Sequence, residues 1–472
     1  MLQPDRSQPQ RKSVTGIRRV PVLARSLWAL NRDPLQASVA HSHMNGDLAR
    51  VKVGRTSEYM LVRGAEHARR VLITNQDNYR KPSDYEALGV VLGNGLLTVD
   101  DMDLWRRQRR LVQPMFAKRH LDPFAAHMIE AAGRSLGKWD DIPVGKTVDM
   151  STEMNRLTLD VVGRALFGSD LSGPMAKTIG DGVTDMVRAA MASIRIWLPR
   201  LAHIVPGMTV EHAMRLRPLH WRAAQNAIKG FDDVVERMIA ERRADAAHDK
   251  ENLLSLLIDS RDEESGEAMS DRQVRDEILT FLLAGHETTA NALSWMWMLL
   301  SQHPEARERL FEEVDGVLGG RTPTADDLDQ LPYTAAVFQE AMRLYPPVWS
   351  LPRQAIEEDR LGDTKVHPGA IIVIFTYLIH RDPEIWPNPE GFDPQRFMPG
   401  APERPRQAFM PFGAGRRVCV GAGFAMMEGV LLTAMIAQRF RLDLSPGERV
   451  TPEASITLRP KNGIRMTIAP RA

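Results

Sequence analysis

The chain has 472 residues, a length that at about 150 residues per domain would allow three domains but that large single-core enzymes also reach. Hydrophobic residues make up 43% of it and charged residues 26%, close to the soluble globular average, which excludes a disordered tail, a fibre and a multi-span membrane protein. Lysine plus arginine number 61 against 60 aspartate plus glutamate, a net charge of +1, so no global field gathers nucleic acid or acidic lipid and a charge-driven partner must use a local patch.

Residues 1–20 carry Arg6, Arg11, Lys12, Arg18 and Arg19 without an apolar run long enough for a signal core or a membrane span. They read as a flexible basic N-terminus, with 21–472 as one domain. His41 and His43 could chelate a metal, but no third ligand follows at helical spacing, and they read as a solvated loop. Alternation of Val51, Val53, Met60 and Val62 about a polar Gly54-Arg55-Thr56-Ser57 turn predicts a short hairpin over 48–63. Helical periodicity then predicts helices over roughly 122–137, 150–168, 176–195, 210–243, 271–303, 304–319 and 333–344, the last stopped by Pro346 and Pro347. Within these, residues 278–300 are almost wholly apolar and as long as a membrane span, yet His286, Glu287, Thr288 and Thr289 sit at the centre, where lipid would make them costly. A helix buried in a large soluble protein, notched by polar groups, is the better reading. Further strands are expected at 370–377, 455–458 and 464–468, the last two flanking Pro460-Lys461-Asn462-Gly463. Seven prolines between 382 and 406 prohibit a long helix and dictate an ordered coil leading to Cys419. With no repeat and no Gly/Ser linker, one mainly helical domain with small β-sheets is the expected fold class.

Cys419 is the only cysteine, which excludes an internal disulfide, a Cys-based zinc knuckle and a four-cysteine iron-sulfur centre, and fits a reducing, cytoplasmic compartment. It lies in Phe412-Gly413-Ala414-Gly415-Arg416-Arg417-Val418-Cys419-Val420-Gly421, directly before an apolar helix expected over 422–440. Glycines let backbone N–H groups approach the sulfur and a helix N-terminus adds positive potential, so both favour a thiolate, and a thiolate bonded to iron suits such a loop. Taken alone, a free cysteine is more often a small buried hydrophobe. Gly413-x-Gly415 and Gly421-x-Gly423 begin a dinucleotide fingerprint that Val418 and Met426 leave incomplete.

Three other groupings accompany the loop. Ala284-Gly285-His286-Glu287-Thr288-Thr289 places Ala284 and Thr288 on one helical face, with Gly285 removing a side chain beside them; a mid-helix threonine by itself more often bonds back to its own helix. Glu340 and Arg343 share a helical face three residues apart, ordinarily surface decoration, and are followed by Arg396 in Phe392-Asp393-Pro394-Gln395-Arg396-Phe397. Trp105-x-x-x-Arg109 sets an indole N–H and a guanidinium one turn apart, donors suited to carboxylates.

In this order and spacing, the four groupings resemble the cytochrome P-450 family, and the loop resembles its haem-thiolate loop. The resemblance, spread from Trp105 to Gly421, implies a mainly α cytochrome P-450 fold and a soluble, bacterial-type member. It implies Cys419 as the axial ligand of haem b iron, with Phe412 and Gly421 framing it. Trp105, Arg109, Arg353 and Arg417 would take the haem propionates. Ala284 and Gly285 would form the oxygen notch, with Thr288 bonding oxygen and Glu287 relaying protons. Glu340, Arg343 and Arg396 would form a structural network pinning the proline-rich coil. The implied reaction is insertion of one atom of O2 into a C–H bond. By the same resemblance the cavity is lined by 85–100, 186–214, 284–288, 348–351 and 454–457, whose apolar content suits a fatty acid, terpenoid, steroid or polyketide. Lacking a flavin or nicotinamide fingerprint, the chain would draw on NAD(P)H through a ferredoxin or flavodoxin plus reductase. Arg106, Arg107, Arg110, Lys118, Arg119, Arg404, Arg406 and Arg416 offer a basic docking patch, or are scattered surface arginines. No nucleic acid and no membrane anchor are implied, and a monomer is expected. A haem-binding sensor or carrier without turnover would not need the Glu287-Thr288 pair, and a peroxide-driven or isomerising member of the fold usually lacks it.

Overall fold

The computed structural model describes residues 20–21, 46–53, 57–82, 84–168, 218–244 and 252–471, with isolated residues at 33–40, 212 and 215. The basic N-terminus, the His41/His43 pair, the helix expected over 176–195, most of 186–214 and the start of that expected over 210–243 lie outside these residues.

The longer helices among the described residues are α1 Asp84–Leu92, α2 Met102–Val112, α3 Lys118–Asp140, α4 Met150–Phe167, α5 Pro218–Ala244, α6 Leu253–Asp259, α7 Asp271–Gln302, α8 Pro304–Leu318, α9 Pro332–Leu344 and α10 Ala422–Arg439. Their ends follow from local chemistry. Ser270 and Gln273 form a reciprocal capping box on α7, satisfying two of its orphan amide donors. Pro304 and Pro332 open α8 and α9 at the first helical position, where no N–H is needed. Asp149 caps α4 by accepting from Ser151 N at 3.1 Å, and Gly168, at φ +71°, ends it. At 32 residues and 1.5 Å each, α7 runs about 48 Å through the molecule. It buries Ile278, Leu282, Leu283 and Trp295 together with Arg275, Asp276, Glu277, His286 and Asn291. Among the described residues no helix is long and apolar enough to cross a membrane.

The strands are β1 Val20–Pro21, β2 Leu48–Val53, β3 Ser57–Val62, β4 Tyr79–Arg80, β5 Thr147–Asp149, β6 Leu351–Ala355, β7 Asp359–Leu361, β8 Thr364–Val366, β9 Ile371–Ile374, β10 Phe440–Leu444, β11 Pro452–Ala454, β12 Leu458–Pro460 and β13 Arg465–Pro470. The hairpin expected over 48–63 is β2–β3, paired from Leu48 with Val62 to Val53 with Ser57. It belongs to a six-stranded sheet of order β1-β2-β3-β9-β6-β4. Only 371–374 of the stretch expected at 370–377 is strand; Thr376–Ile379 turns into a short helix.

The C-terminal expectation holds in part. The strand expected at 464–468 is β13, Arg465–Pro470, whereas of 455–458 only Leu458 is strand, Ser455 to Thr457 being the turn between β11 and β12. β13 joins β10 and β5 in a separate three-stranded sheet. Gly463, at φ +75° against the Asp149 carboxylate, carries the chain from one sheet to the other, where no side chain fits.

Three apolar clusters result among the described residues. The largest gathers α1 to α10 around α7, the second backs the six-stranded sheet with Met60, Val62, Ile372 and Ile374, and a small third holds Leu35, Ala454 and Leu458. The Cys419 loop runs along the seam of the first two: Met410 and Ala414 pack on the sheet core, Phe412 and Val420 on the helical one.

Candidate active site

Between Met410 and Cys419 the chain is folded by glycine and by its own amides. Gly413 and Gly415 have φ of +74° and +72°, and a Cβ on Gly415 would collide with the Leu72 carbonyl oxygen. Val418 N donates to Gly415 O at 3.1 Å and Cys419 N to Phe412 O at 2.9 Å. The loop thus closes on itself and presents the sulfur at the start of α10. The sulfur opens into a cavity whose wall includes Phe412, Arg417, Val420, Gly421 and Phe424. Burial pushes the Cys419 thiol up, against the Gly421 N–H and the Arg109 charge, which pull it down. The Gly421 amide at the start of α10 thus acts in the expected direction, toward a thiolate, and desolvation acts against it. A positive centre at the sulfur would reverse the balance.

The facing wall belongs to α7. Thr280, Phe281, Ala284, Gly285, Thr288 and Thr289 line the cavity. Thr288 Oγ1 donates to Ala284 O at 2.6 Å, the back-bonding open to any mid-helix threonine. Glu287 is not in the wall. One residue along a helix turns a side chain by about 100°, and this carboxylate accepts instead from Thr457 Oγ1 at 2.7 Å, with Asn291 Nδ2 3.2 Å from the same hydroxyl. That contact also takes 454–457 out of the cavity lining and onto α7. Gly285 has a reason beyond room in the cavity: a Cβ there would lie 2.9 Å from a Val162 methyl of α4. Beside Thr289, the fully buried Glu428 of α10, neither of whose oxygens has a hydrogen-bond partner among the described residues, is held well above the ordinary carboxylate range by desolvation. The sequence reading passed over it as part of an apolar helix.

At one edge Trp105, Arg109, Arg353 and Arg417 converge on the cavity, joined by Lys81, which the sequence did not single out. The Arg417 guanidinium lies 4.9 Å over the Trp105 ring and donates to Val99 O, and Arg109 Nη1 donates to Val418 O at 2.9 Å. Burial first, then the repulsion of Arg353, bring Arg417 down to about 10. Burial, Arg417 and Arg353 likewise hold Lys81 well below its usual value, opposed by Asp100 and Glu277. Three crowded, half-desolvated cations are unfavourable unless an anion belongs among them. Two carboxylates entering this edge fit that requirement, as does a group whose metal takes a single protein sulfur, since no cluster of three or more His, Cys, Asp or Glu exists among the described residues.

Glu340, Arg343 and Arg396 meet behind the Cys419 loop. Arg343 donates to both Glu340 oxygens, at 2.7 and 2.8 Å, and to the carbonyls of His380, Pro389 and Gly391. Arg396 Nε stands 3.4 Å from Glu340 Oε1 and Asp393 N donates to that oxygen at 2.9 Å. His380, kept neutral by burial at about 3, accepts from Met410 N at 2.8 Å and so ties this network to the first residue of the loop.

The arginines expected to form a basic patch are largely paired. Arg106 meets Asp103 at 2.7 Å, Arg107 meets Asp262 and Glu267, and Arg110 meets Asp262 and Glu264. Arg416 meets Asp77, and Arg404 stacks on Trp386 at 4.6 Å. The side chains of Lys118 and Arg119 lie outside the described residues.

Comparison with known proteins agrees with the geometry. Residues 15–467 match the family model described as cytochrome P-450. The chain is 35% identical over 459 residues to cytochrome P-450 132 of Mycobacterium bovis, covering 94% of this chain and 96% of that protein. It is 36% identical over 453 residues to cyclooctatin synthase of Streptomyces melanosporofaciens, covering 95% and 94%. It is 34% identical over 449 residues to cyclooctat-9-en-7-ol 5-monooxygenase of the same organism, covering 93% and 92%. A match along nearly the whole chain places the chain in the cytochrome P-450 family of haem-dependent, dioxygen-using monooxygenases.

Proposed function

We propose that the cavity between Cys419 and α7 holds haem b through Cys419, and that the chain hydroxylates a compact lipophilic terpenoid there, as a monomeric cytoplasmic enzyme with 21–472 as its one domain. The observation that carries this reading is the placement of the chain's only cysteine across one apolar cavity from Ala284 and Thr288, with Trp105, Arg109, Lys81, Arg353 and Arg417 at its edge. Bound there, haem supplies dioxygen activation and the oxidation of the C–H bond.

The chain's own residues divide the remaining work. Phe412 and Gly421 frame the sulfur, and the edge cations take the propionates. Glu340, Arg343 and Arg396 fix the coil that presents the loop. Thr288 and Glu287 serve the distal side as proton carriers, each trading an internal hydrogen bond, to Ala284 O or from Thr457 Oγ1, for one into the cavity. Phe116, Val162, Leu253, Phe281 and Val348 exclude water and fit a rigid hydrocarbon better than a charged substrate. The names of both Streptomyces relatives, built on one carbocyclic skeleton, favour a terpenoid over a fatty acid. Electrons from NAD(P)H arrive through a ferredoxin or flavodoxin and its reductase.

The reduced carbon monoxide difference spectrum of the purified protein tests the assignment. We expect the red-shifted Soret band of thiolate ligation, its loss in Cys419→Ala, and spectral shifts with cyclic terpenes; colourless wild-type protein, or an intact band in the alanine variant, overturns it.

A further inference from the structure

The loop between α1 and α2 carries Leu96 and Leu97 into the cavity wall, and its backbone is held by two consecutive carboxylates of α7. Asn94 N donates to Asp276 Oδ2 at 2.8 Å, and Leu96 N donates to both oxygens of Glu277 at 3.1 Å. The approach is close enough to demand glycine on either side: a Cβ on Gly93, at φ +75°, would strike the Asp276 carboxylate, and one on Gly95 would strike Thr280 Oγ1. The two acids differ in their surroundings. Asp276 is paired with Arg275 at 2.9 Å and with Arg272 at 3.4 Å. Glu277 is fully buried, with Lys81 and Asp276 as the charges it feels and the Leu96 amide as its hydrogen-bond donor. A buried carboxylic group facing a single loop amide is costly to keep; its hydrogen bonding falls on one place, the position of Leu96, while its field also reaches Lys81.

We propose that Glu277 is a specificity-determining positioning residue: by clamping the Leu96 amide it fixes the Leu96–Leu97 face of the cavity and so sets the size of molecule admitted. The other end of the same segment is anchored independently, Arg417 donating to Val99 O and Lys81 N to Asp100 Oδ1 at 3.1 Å. Release at Glu277 therefore moves the apolar face while leaving the anchors at Val99 and Asp100 in place. The proposal rests on the cavity as the substrate site, but the clamp itself is readable without it.

The test uses the haem-loaded protein with Glu277→Leu and, as a milder variant, Glu277→Asp, which keeps the carboxyl group but shortens its reach. Hydrogen exchange is followed at the Asn94 and Leu96 amides. Binding of imidazole and of a bulky triaryl imidazole is followed by the Soret shift. We expect faster exchange at the Leu96 amide, with the Asn94 amide, held by Asp276, as the unchanged reference, and a change of about tenfold in the ratio of the two affinities, the scale of one hydrogen bond, with imidazole alone unchanged and a smaller effect in the aspartate variant. Unaltered exchange at the Leu96 amide in both variants overturns the clamp. Faster exchange with an unchanged affinity ratio overturns its role in selection. Failure of the cavity assignment would appear separately, as absent imidazole binding in the wild type.

Discussion

Glu340 shows how much one buried side chain can organise. Its two oxygens receive Arg343 twice, the Asp393 amide and the approach of Arg396, at zero exposure. Removing one partner from a buried pair costs about 3–5 kcal/mol, and here the freed arginine also holds three carbonyls of the coil that leads to Cys419. Glu340→Gln keeps the shape but aims an N–H₂ group at a guanidinium. We expect the variant to accumulate without haem, measured as a near-complete loss of Soret absorbance per protein; a folded, haem-loaded Glu340→Gln would remove the network from its structural role. The Glu340–Arg343 pairing could be read from the sequence because both groups sit three apart on one helix. Lys81 could not, since its meeting with Arg353 and Arg417 depends on three distant segments folding together. The direction of Glu287 was equally hidden: its partner Thr457 lies 170 residues away.

For whole elements, legibility followed locality. The limits of α7, α8 and α9 were readable to within a residue or two because Ser270, Pro304 and Pro332 encode them in place. The β11–β12 turn was not, because tertiary contacts position it: Trp349 Nε1 donates to Ser455 O at 3.0 Å and Trp295 Nε1 to Leu458 O at 3.1 Å. The crossing of α4 and α7 supplies a prediction of the same kind. If Gly285 is a glycine because Val162 needs the space, Gly285→Ala overpacks the crossing and destabilises the fold by about 1–3 kcal/mol, and Val162→Ala added to it restores most of the loss. Thermal unfolding of the single and double variants checks this. A single variant as stable as wild type would return the glycine to a purely cavity-shaping role.

On the scale of the whole molecule, charge is nearly cancelled, at +1 overall, and it is cancelled locally too. Arg106, Arg107, Arg110 and Arg416, which the sequence alone offered as a docking patch, each face a carboxylate. Of these pairs the exposed Arg106–Asp103 adds little stability, while Asp262 is itself buried; in either case a positive charge with a negative neighbour a few ångströms away projects almost no field beyond a Debye length of about 8–10 Å. An acidic electron donor approaching this face should therefore be guided mainly by contact and only weakly by long-range attraction. We expect the rate of reduction by an acidic ferredoxin to fall by less than about tenfold from low salt to about 0.5 M salt, where an unpaired patch would show steering of about 10–10³. Replacing Asp262, which serves both Arg107 and Arg110, with asparagine should unmask positive charge and steepen that dependence. A wild-type rate that already collapses with salt would place the docking charge on residues other than these pairs.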